Sequence, residues 1–339
     1  MRKEGAPAIV IAGTILVDIL KTVPLYPEVG RLVQISAIEQ SCGGAVPNTA
    51  IDLVRLDPDF PVRVFGKVGD DDYGRFAVGK MAEAGLDVSQ VLVSKTAPTS
   101  FTDVMSVKGG QRTFFTLAGA GAELDVEDFD FRALGAPHLH LAYLLLLDAL
   151  DREDEEYGCR SARLLAAAKA AGIRTSVDLI SEDTDRYKTA VLPALPYVDY
   201  LIINELEAAA ITGIPVSEAP TADELCRVTE ALLALGVREK VILHCPALGV
   251  VNDRAEGFTA LPSLSLPRDY IVGTTGAGDA FCAGALYALT HGYTDKELLR
   301  LASLTAAASL GAADAVGGMK PLSELYALEE RYGRKELLC

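Results

Sequence analysis

The 339-residue sequence has no tryptophan, only four histidines, and six cysteines with no C-x-x-C pair among them. Scattered as Cys42, Cys159, Cys226, Cys245, Cys282 and Cys339, the thiols are expected to be buried and reduced, which points to the cytoplasm. Cys282 reads as a small packing residue on an alanine-rich helix. His138, His140, His244 and His291 stand at no zinc-ligand spacing from a cysteine or carboxylate, so no metal set is expected of them. There is no run of about 18 uncharged apolar residues, which excludes an ordinary membrane-spanning helix. The apolar segment 7–17 is broken by Gly13 and Thr14 and reads as a buried first strand, not a signal peptide. Basic residues are scarce against acidic ones, 31 to 47, and the net charge of −16 argues against nucleic acid and anionic membranes as partners. Only Gly13 stands where a dinucleotide-binding G-x-G-x-x-G would need three glycines, and no G-x-x-x-x-G-K-[ST] occurs. Nicotinamide-dependent and P-loop chemistry are thereby set aside.

Half of the residues are hydrophobic, and they fall into an alternation. β-Branched runs (Ala8–Ala12, Val62–Phe65, His138–Leu144, Arg174–Asp178, Tyr200–Ile203, Lys240–His244) alternate with amphipathic helical runs. The helical runs include Asn48–Leu56, Tyr73–Ala84, Arg160–Ala171, Ala222–Leu235 and Asp295–Leu310. This predicts an α/β fold, a mostly parallel sheet with helices on both faces, within one domain spanning 1–339. Ligands of such sheets sit beyond the carboxyl ends of the strands. That rule brings Asp18, Asn204, Glu207 and Asp279 to one crevice. Two segments, about 19–42 and 99–117, break the rhythm and predict a small separate sheet. The second contains a credible hairpin turn, Lys108-Gly109-Gly110-Gln111.

Most informative is Gly273-Thr274-Thr275-Gly276-Ala277-Gly278-Asp279-Ala280-Phe281. A β-like segment, Tyr270-Ile271-Val272, leads in, and a helix is expected to follow over Ala280 to Leu289. Small residues at Gly276, Ala277 and Gly278 let N–H groups at a helix start converge on an anion, where the helix dipole adds positive potential. A carboxylate at the rim, Asp279, suits phosphoryl transfer to a hydroxyl, with the donors stabilising charge and the carboxylate taking the proton. Elsewhere, Gly43 and Gly44 permit close backbone approach before a helix that Asn48 could cap. Asn204 and Glu207, three apart, share a helix face, where Glu207 could hold Mg²⁺ or merely offset the dipole. Asp18 reads either as a hydroxyl-gripping carboxylate or as a turn former, and Arg112 either as a residue reaching across the crevice or as a solvated edge charge.

Taken together, these motifs resemble the ribokinase-like (PfkB-type) carbohydrate kinases over about residues 8–330. The matches are the Gly-Ala-Gly-Asp signature at 276–279, Gly43-Gly44 with Asn48, Asp18, Gly66-Lys67-Val68-Gly69-Asp70-Asp71-Asp72-Tyr73-Gly74, Arg112-Thr113 and Asn204-x-x-Glu207. The resemblance implies a kinase that moves the γ-phosphate of ATP to a hydroxymethyl group of a sugar-like acceptor. Asp279 is then the base and Gly276, Ala277, Gly278 and Asp279 form the anion hole. Asp18, Gly43, Gly44, Asn48 and Arg112 face the acceptor, while Asn204, Glu207, Gly249 and Thr274 face the nucleotide, with Mg²⁺ near Glu207. The two irregular segments become a lid, which in some members also mediates dimerisation. A nucleoside kinase of the same fold and a catalytically silent sugar- or nucleotide-binding protein stay open. Two departures stand out: Gly273 replaces the usual aspartate, and His244-Cys245-Pro246 replaces Thr-x-Gly. A proline there removes a backbone donor. The segment 312–319 falls where the family closes its base-binding edge.

Overall fold

The computed structural model describes residues 6–107, 112–182 and 184–337. The predicted turn at 108–111 lies outside them. Eight strands form the central sheet, in the order Gly257–Pro262, Leu248–Asp253, Lys240–His244, Tyr200–Asn204, Arg174–Leu179, His138–Leu144, Ile9–Gly13 and Val62–Phe65. The six from Val62–Phe65 to Lys240–His244 are parallel, and the other two add an antiparallel edge. Each predicted strand of this sheet appears within a residue of its expected bounds.

Successive residues of a strand point to opposite faces, and the core divides accordingly. Val10 and Ala12 join one buried cluster, Ile9 and Ile11 the other. The first cluster is covered by helices Arg160–Ala170, Glu205–Thr212 and Ala222–Ala234, the second by Ala45–Leu56, Ala277–His291 and Asp295–Ser309. Capping boxes start three of these helices: Asn204 with Glu207, Thr221 with Glu224, and Thr294 with Glu297. Such a cap is worth about 1 kcal/mol. No helix of the described residues is long and apolar enough to cross a membrane.

A second sheet holds Ala37–Gly43, Leu16–Val23, Ser100–Val107 and Arg112–Leu117 in that order. It is built from the two segments that break the α/β rhythm. Its strand Ser100–Val107 is anchored through Asp71, which caps helix Asp72–Glu83 and also accepts from the N–H and hydroxyl of Thr99 at 2.8 and 2.6 Å. The stretch 31–36 is not a strand, and regular pairing begins only at Ala37. The β-like segment Tyr270-Ile271-Val272 is not a strand either. Gly257–Pro262 ends the sheet on that side, so the segment forms a 3₁₀ turn, Arg268–Tyr270, and Val272 N–H donates to the Leu310 carbonyl at 2.9 Å.

Candidate active site

Helix Ala277–His291 begins three residues before its expected start, and its first turn organises the site. Gly276 precedes it with φ of 79°, the left-handed region that favours glycine, and a Cβ there would meet the Ala315 carbonyl at 2.4 Å. The Ala277 N–H is engaged by the Thr274 carbonyl at 3.3 Å. As second and third residues of the helix, Gly278 and Asp279 leave N–H groups without intrahelical partners at its positive end.

Asp279 is 5% exposed and held from two sides. Tyr143 Oη donates to its Oδ1 at 2.5 Å, and Asn48 Nδ2 to its Oδ2 at 3.0 Å. Burial pushes the carboxyl up to about 7; the Tyr143 and Asn48 hydrogen bonds pull against this, while the charge of Asp178 adds to it. Asn48 is therefore not a helix cap. Its helix starts earlier, at Ala45, because Gly44, with φ of 91°, makes the turn. Asn48 lies a turn inside, aimed at Asp279. Four residues on, Asp52 is fully buried, with neither carboxylate oxygen hydrogen-bonded, and burial, followed by the charge of Asp279, raises its pKa well above the carboxylate range.

Asp279, Gly276 and Gly278 line a polar cleft of about 300 Å³ that also takes in Asn204, Glu207 and Asp178. Glu207 accepts from Ser181 Oγ at 2.7 Å, from Asn204 Nδ2 at 2.9 Å and from Asn204 N–H at 3.0 Å, completing a capping box. Its burial lifts its pKa to about 7. Both readings of Asn204 and Glu207 thus coincide: the pair caps a helix and faces the cleft. A larger, more apolar cleft of about 680 Å³ adjoins it, sharing Asn204, His244 and Gly278 and lined also by Gly249 and Thr274. The segment 312–319 does not line this second cleft. It packs behind the glycine-rich loop, where a Cβ on Gly273 would meet the Ala312 carbonyl at 2.8 Å. Pro246 sits in the tight turn between two antiparallel strands, and its carbonyl accepts from Lys335 Nζ at 2.8 Å.

Asp18 lies on the second sheet against Gly43, where a Cβ would meet its Oδ2 at 2.0 Å, and burial raises its pKa to about 6. Arg112 Nη1 donates to Thr275 Oγ1 at 3.2 Å, so the second sheet touches the glycine-rich loop.

Three residues at this site were given no role from the sequence. Tyr143 stands one residue before the end of strand His138–Leu144 and carried no motif. Asp178, at the end of the strand run Arg174–Asp178, sits 6% exposed beside Asp279, and burial holds its pKa well above the usual range. His244 stands between the two clefts, its ring 4.7 Å from that of Phe281, and burial lowers its pKa to about 4. The reading of the histidines also needs correction. His140 does have metal-ligand company, since its Nε2 lies 3.6 Å from Asp178 Oδ1 and 3.5 Å from Cys282 Sγ.

Comparison with known proteins finds a family model described as "pfkB family carbohydrate kinase" matching residues 7–320. A ribokinase of Arabidopsis thaliana is 25% identical over 314 residues, covering 90% of this chain and 76% of that one. A fructokinase of Klebsiella pneumoniae is 30% identical over 289 residues, covering 83% and 86%. The structure of Arabidopsis thaliana ribokinase complexed with ribose and ATP superposes with a TM-score of 0.76 at 22% identity, covering 95% of this chain and 98% of that one.

Proposed function

The chain belongs to the pfkB family of carbohydrate kinases and is an ATP-dependent member of it; from that premise we propose that it phosphorylates a hydroxymethyl group of a sugar or sugar-like acceptor, with Asp279 as the general base. The observation that carries this is the setting of Asp279, buried at a helix N-terminus and braced by Tyr143 and Asn48 where a polar cleft meets an apolar one.

In the proposed reaction the acceptor hydroxyl gives its proton to Asp279. Its oxygen attacks the γ-phosphorus, and the bond to the β-phosphate oxygen breaks. The N-terminus of helix Ala277–His291, from Gly276 to Asp279, stabilises charge on the transferred group through the open N–H groups of Gly278 and Asp279. A pKa of about 7 keeps a substantial fraction of Asp279 ionised at neutral pH while leaving it basic enough to accept a proton. Asp18, Gly43, Gly44, Asn48 and Arg112 orient the acceptor. The adenosine part occupies the apolar cleft beside Gly249 and Thr274, with Asn204 at its boundary.

Mg²⁺ fits the polar cleft. Asp178 Oδ1 is buried without a hydrogen-bond partner, and among the described residues neither Asp178 nor Glu207 is paired with a lysine or arginine. Glu207 already accepts three hydrogen bonds, so it would hold the ion through water. The ion would neutralise phosphate charge.

The second sheet acts as a lid that excludes water from the acceptor. Strand Arg112–Leu117 is exposed along its whole length, and Phe114 and Phe115 are 62% and 59% exposed. So apolar a surface suits one face over the acceptor and the other against a second copy. A monomer by light scattering at micromolar concentration would remove the dimer.

The decisive test of function is coupled ADP release across a panel of sugars and nucleosides. A sugar giving saturable turnover supports the reading, and turnover with nucleosides alone replaces it with a nucleoside kinase. Binding of both ligands without turnover on any acceptor leaves a silent binding protein.

A further inference from the structure

Beneath the polar cleft, strands His138–Leu144 and Arg174–Leu179 run side by side, with His140 and Ser176 in register. Helix Ala277–His291 places Cys282 against them. His140 Nε2, Asp178 Oδ1 and Cys282 Sγ all lie within 4.8 Å of one another. Tetrahedral Zn²⁺ with bonds of about 2.0–2.1 Å to nitrogen and about 2.3 Å to sulfur separates those two ligand atoms by about 3.5 Å, and nitrogen from oxygen by about 3.3 Å. The corresponding separations here are 3.5 Å from Nε2 to Sγ and 3.6 Å from Nε2 to Oδ1. Two of the three edges, those from His140 Nε2, therefore nearly match a tetrahedral site before any ion is placed in it, and the third, from Asp178 Oδ1 to Cys282 Sγ, is no longer than 4.8 Å.

A second observation points to a cation independently. Asp178 Oδ1 is buried and has no hydrogen-bond partner, a condition that native interiors rarely leave uncompensated. A third concerns the tautomer. His140 Nδ1 lies 2.9 Å from Ser176 Oγ, which lies 2.8 Å from His138 Nε2. When Nδ1 donates to the serine and the serine hydroxyl donates onward to His138, the lone pair of His140 Nε2 faces Asp178 and Cys282. That is the arrangement by which outer partners orient a metal-binding imidazole.

We propose that His140, Asp178 and Cys282 form a site for a soft divalent cation of the zinc class, with its fourth coordination position open to the polar cleft. Asp178 and Cys282 line that cleft, which gives the ion its entry path. One thiolate and one imidazole among three ligands select Zn²⁺ or Co²⁺ over Mg²⁺, whose preference is for oxygen alone. On binding, the Cys282 thiol releases its proton to solvent and the sulfur bonds the metal. The site borders the polar cleft that would hold phosphate-linked Mg²⁺ and shares Asp178 with it, but its nitrogen and sulfur ligands set it apart from that all-oxygen position at Glu207, and its existence does not depend on which acceptor is phosphorylated.

Metal-stripped full-length protein, free of nucleotide, is titrated with Co²⁺. The expected result is one equivalent bound, with a near-ultraviolet thiolate-to-cobalt band and visible bands of tetrahedral intensity. Zn²⁺ displaces it, and a large excess of Mg²⁺ does not. Cys282→Ser abolishes the thiolate band, and Ser176→Ala weakens binding by about 10- to 100-fold. Should Cys282→Ser fail to fold, X-ray absorption of the zinc-loaded parent protein supplies the same answer through a single sulfur ligand. No thiolate band in the parent protein, its persistence in Cys282→Ser, displacement by Mg²⁺, or a shell of only nitrogen and oxygen would each overturn the proposal.

Discussion

Replacing Asp279 with asparagine is expected to do two opposite things: cripple turnover and stabilise the fold. The carboxyl moves from 3.8 to about 7 on folding, chiefly through burial. A shift of about 3 units corresponds to roughly 4 kcal/mol of penalty for holding the ionised form in the native state. Because the folded pKa is the higher one, the stability associated with this carboxyl is complete below about pH 4 and is lost as the pH rises to about 7. Asparagine approximates the neutral form and escapes that loss. Its amide can also be accommodated, since Tyr143 still donates to Oδ1 and the unpartnered Asn48 Oδ1 can accept from the new NH₂ after an amide flip. Denaturant unfolding should therefore show Asp279→Asn more stable by up to about 4 kcal/mol near pH 8, with the gain falling below about 1 kcal/mol near pH 4. Single-turnover rates with a confirmed acceptor should fall by roughly 10² to 10⁴, the usual worth of a positioned general base. A rate equal to the parent's would remove Asp279 from the base role. A variant no more stable at about pH 8 than the parent would show that burial does not strain this carboxylate.

Tyr143→Phe removes a donor that favours the ionised base, so the acid limb of kcat/KM, expected at about pH 7 in the parent, should move up by about one unit, given that hydrogen bonds to charged groups are worth about 1.5–3 kcal/mol; an unmoved limb would mean that the limb reports another group. Acceptor binding should protect segments 19–42 and 99–117 from hydrogen exchange, because Arg112 already bridges the second sheet and the glycine-rich loop; unchanged protection at saturation would argue against the proposed lid. K⁺ activation should be weak or absent, since Gly273 offers no carboxylate and the Ala312 carbonyl leaves no room for a side chain there. Initial rates in KCl, NaCl and a bulky organic cation at equal ionic strength would decide this, and a severalfold, saturable stimulation by K⁺ alone would contradict it.

The order of strands and helices was legible in the sequence because local period and capping carry it. β-Branched runs mark strands buried on both faces, and Thr221 with Glu224 or Thr294 with Glu297 announces a helix start. The glycine-rich turn and its aspartate were legible for the same reason, being contiguous. The capping argument went astray at one residue whose partner is remote. Asn48 looks like a cap from its neighbours alone, yet its amide meets a carboxylate 231 positions away. Tyr143, Asp178, His140 and Cys282 gave no joint signal, because no spacing along the chain relates them. They meet because strand 138–144 lies between 9–13 and 174–179 in the sheet, and because helix Ala277–His291 packs over that order. By itself, the sequence determined the strands of the parallel sheet, the helices that alternate with them, and the place of the glycine-rich turn before helix Ala277–His291. Only the tertiary structure decided which polar side chains share one buried volume, because the burial that raises the pKa of Asp279 and leaves Asp178 Oδ1 without a hydrogen bond arises only when distant segments exclude water together.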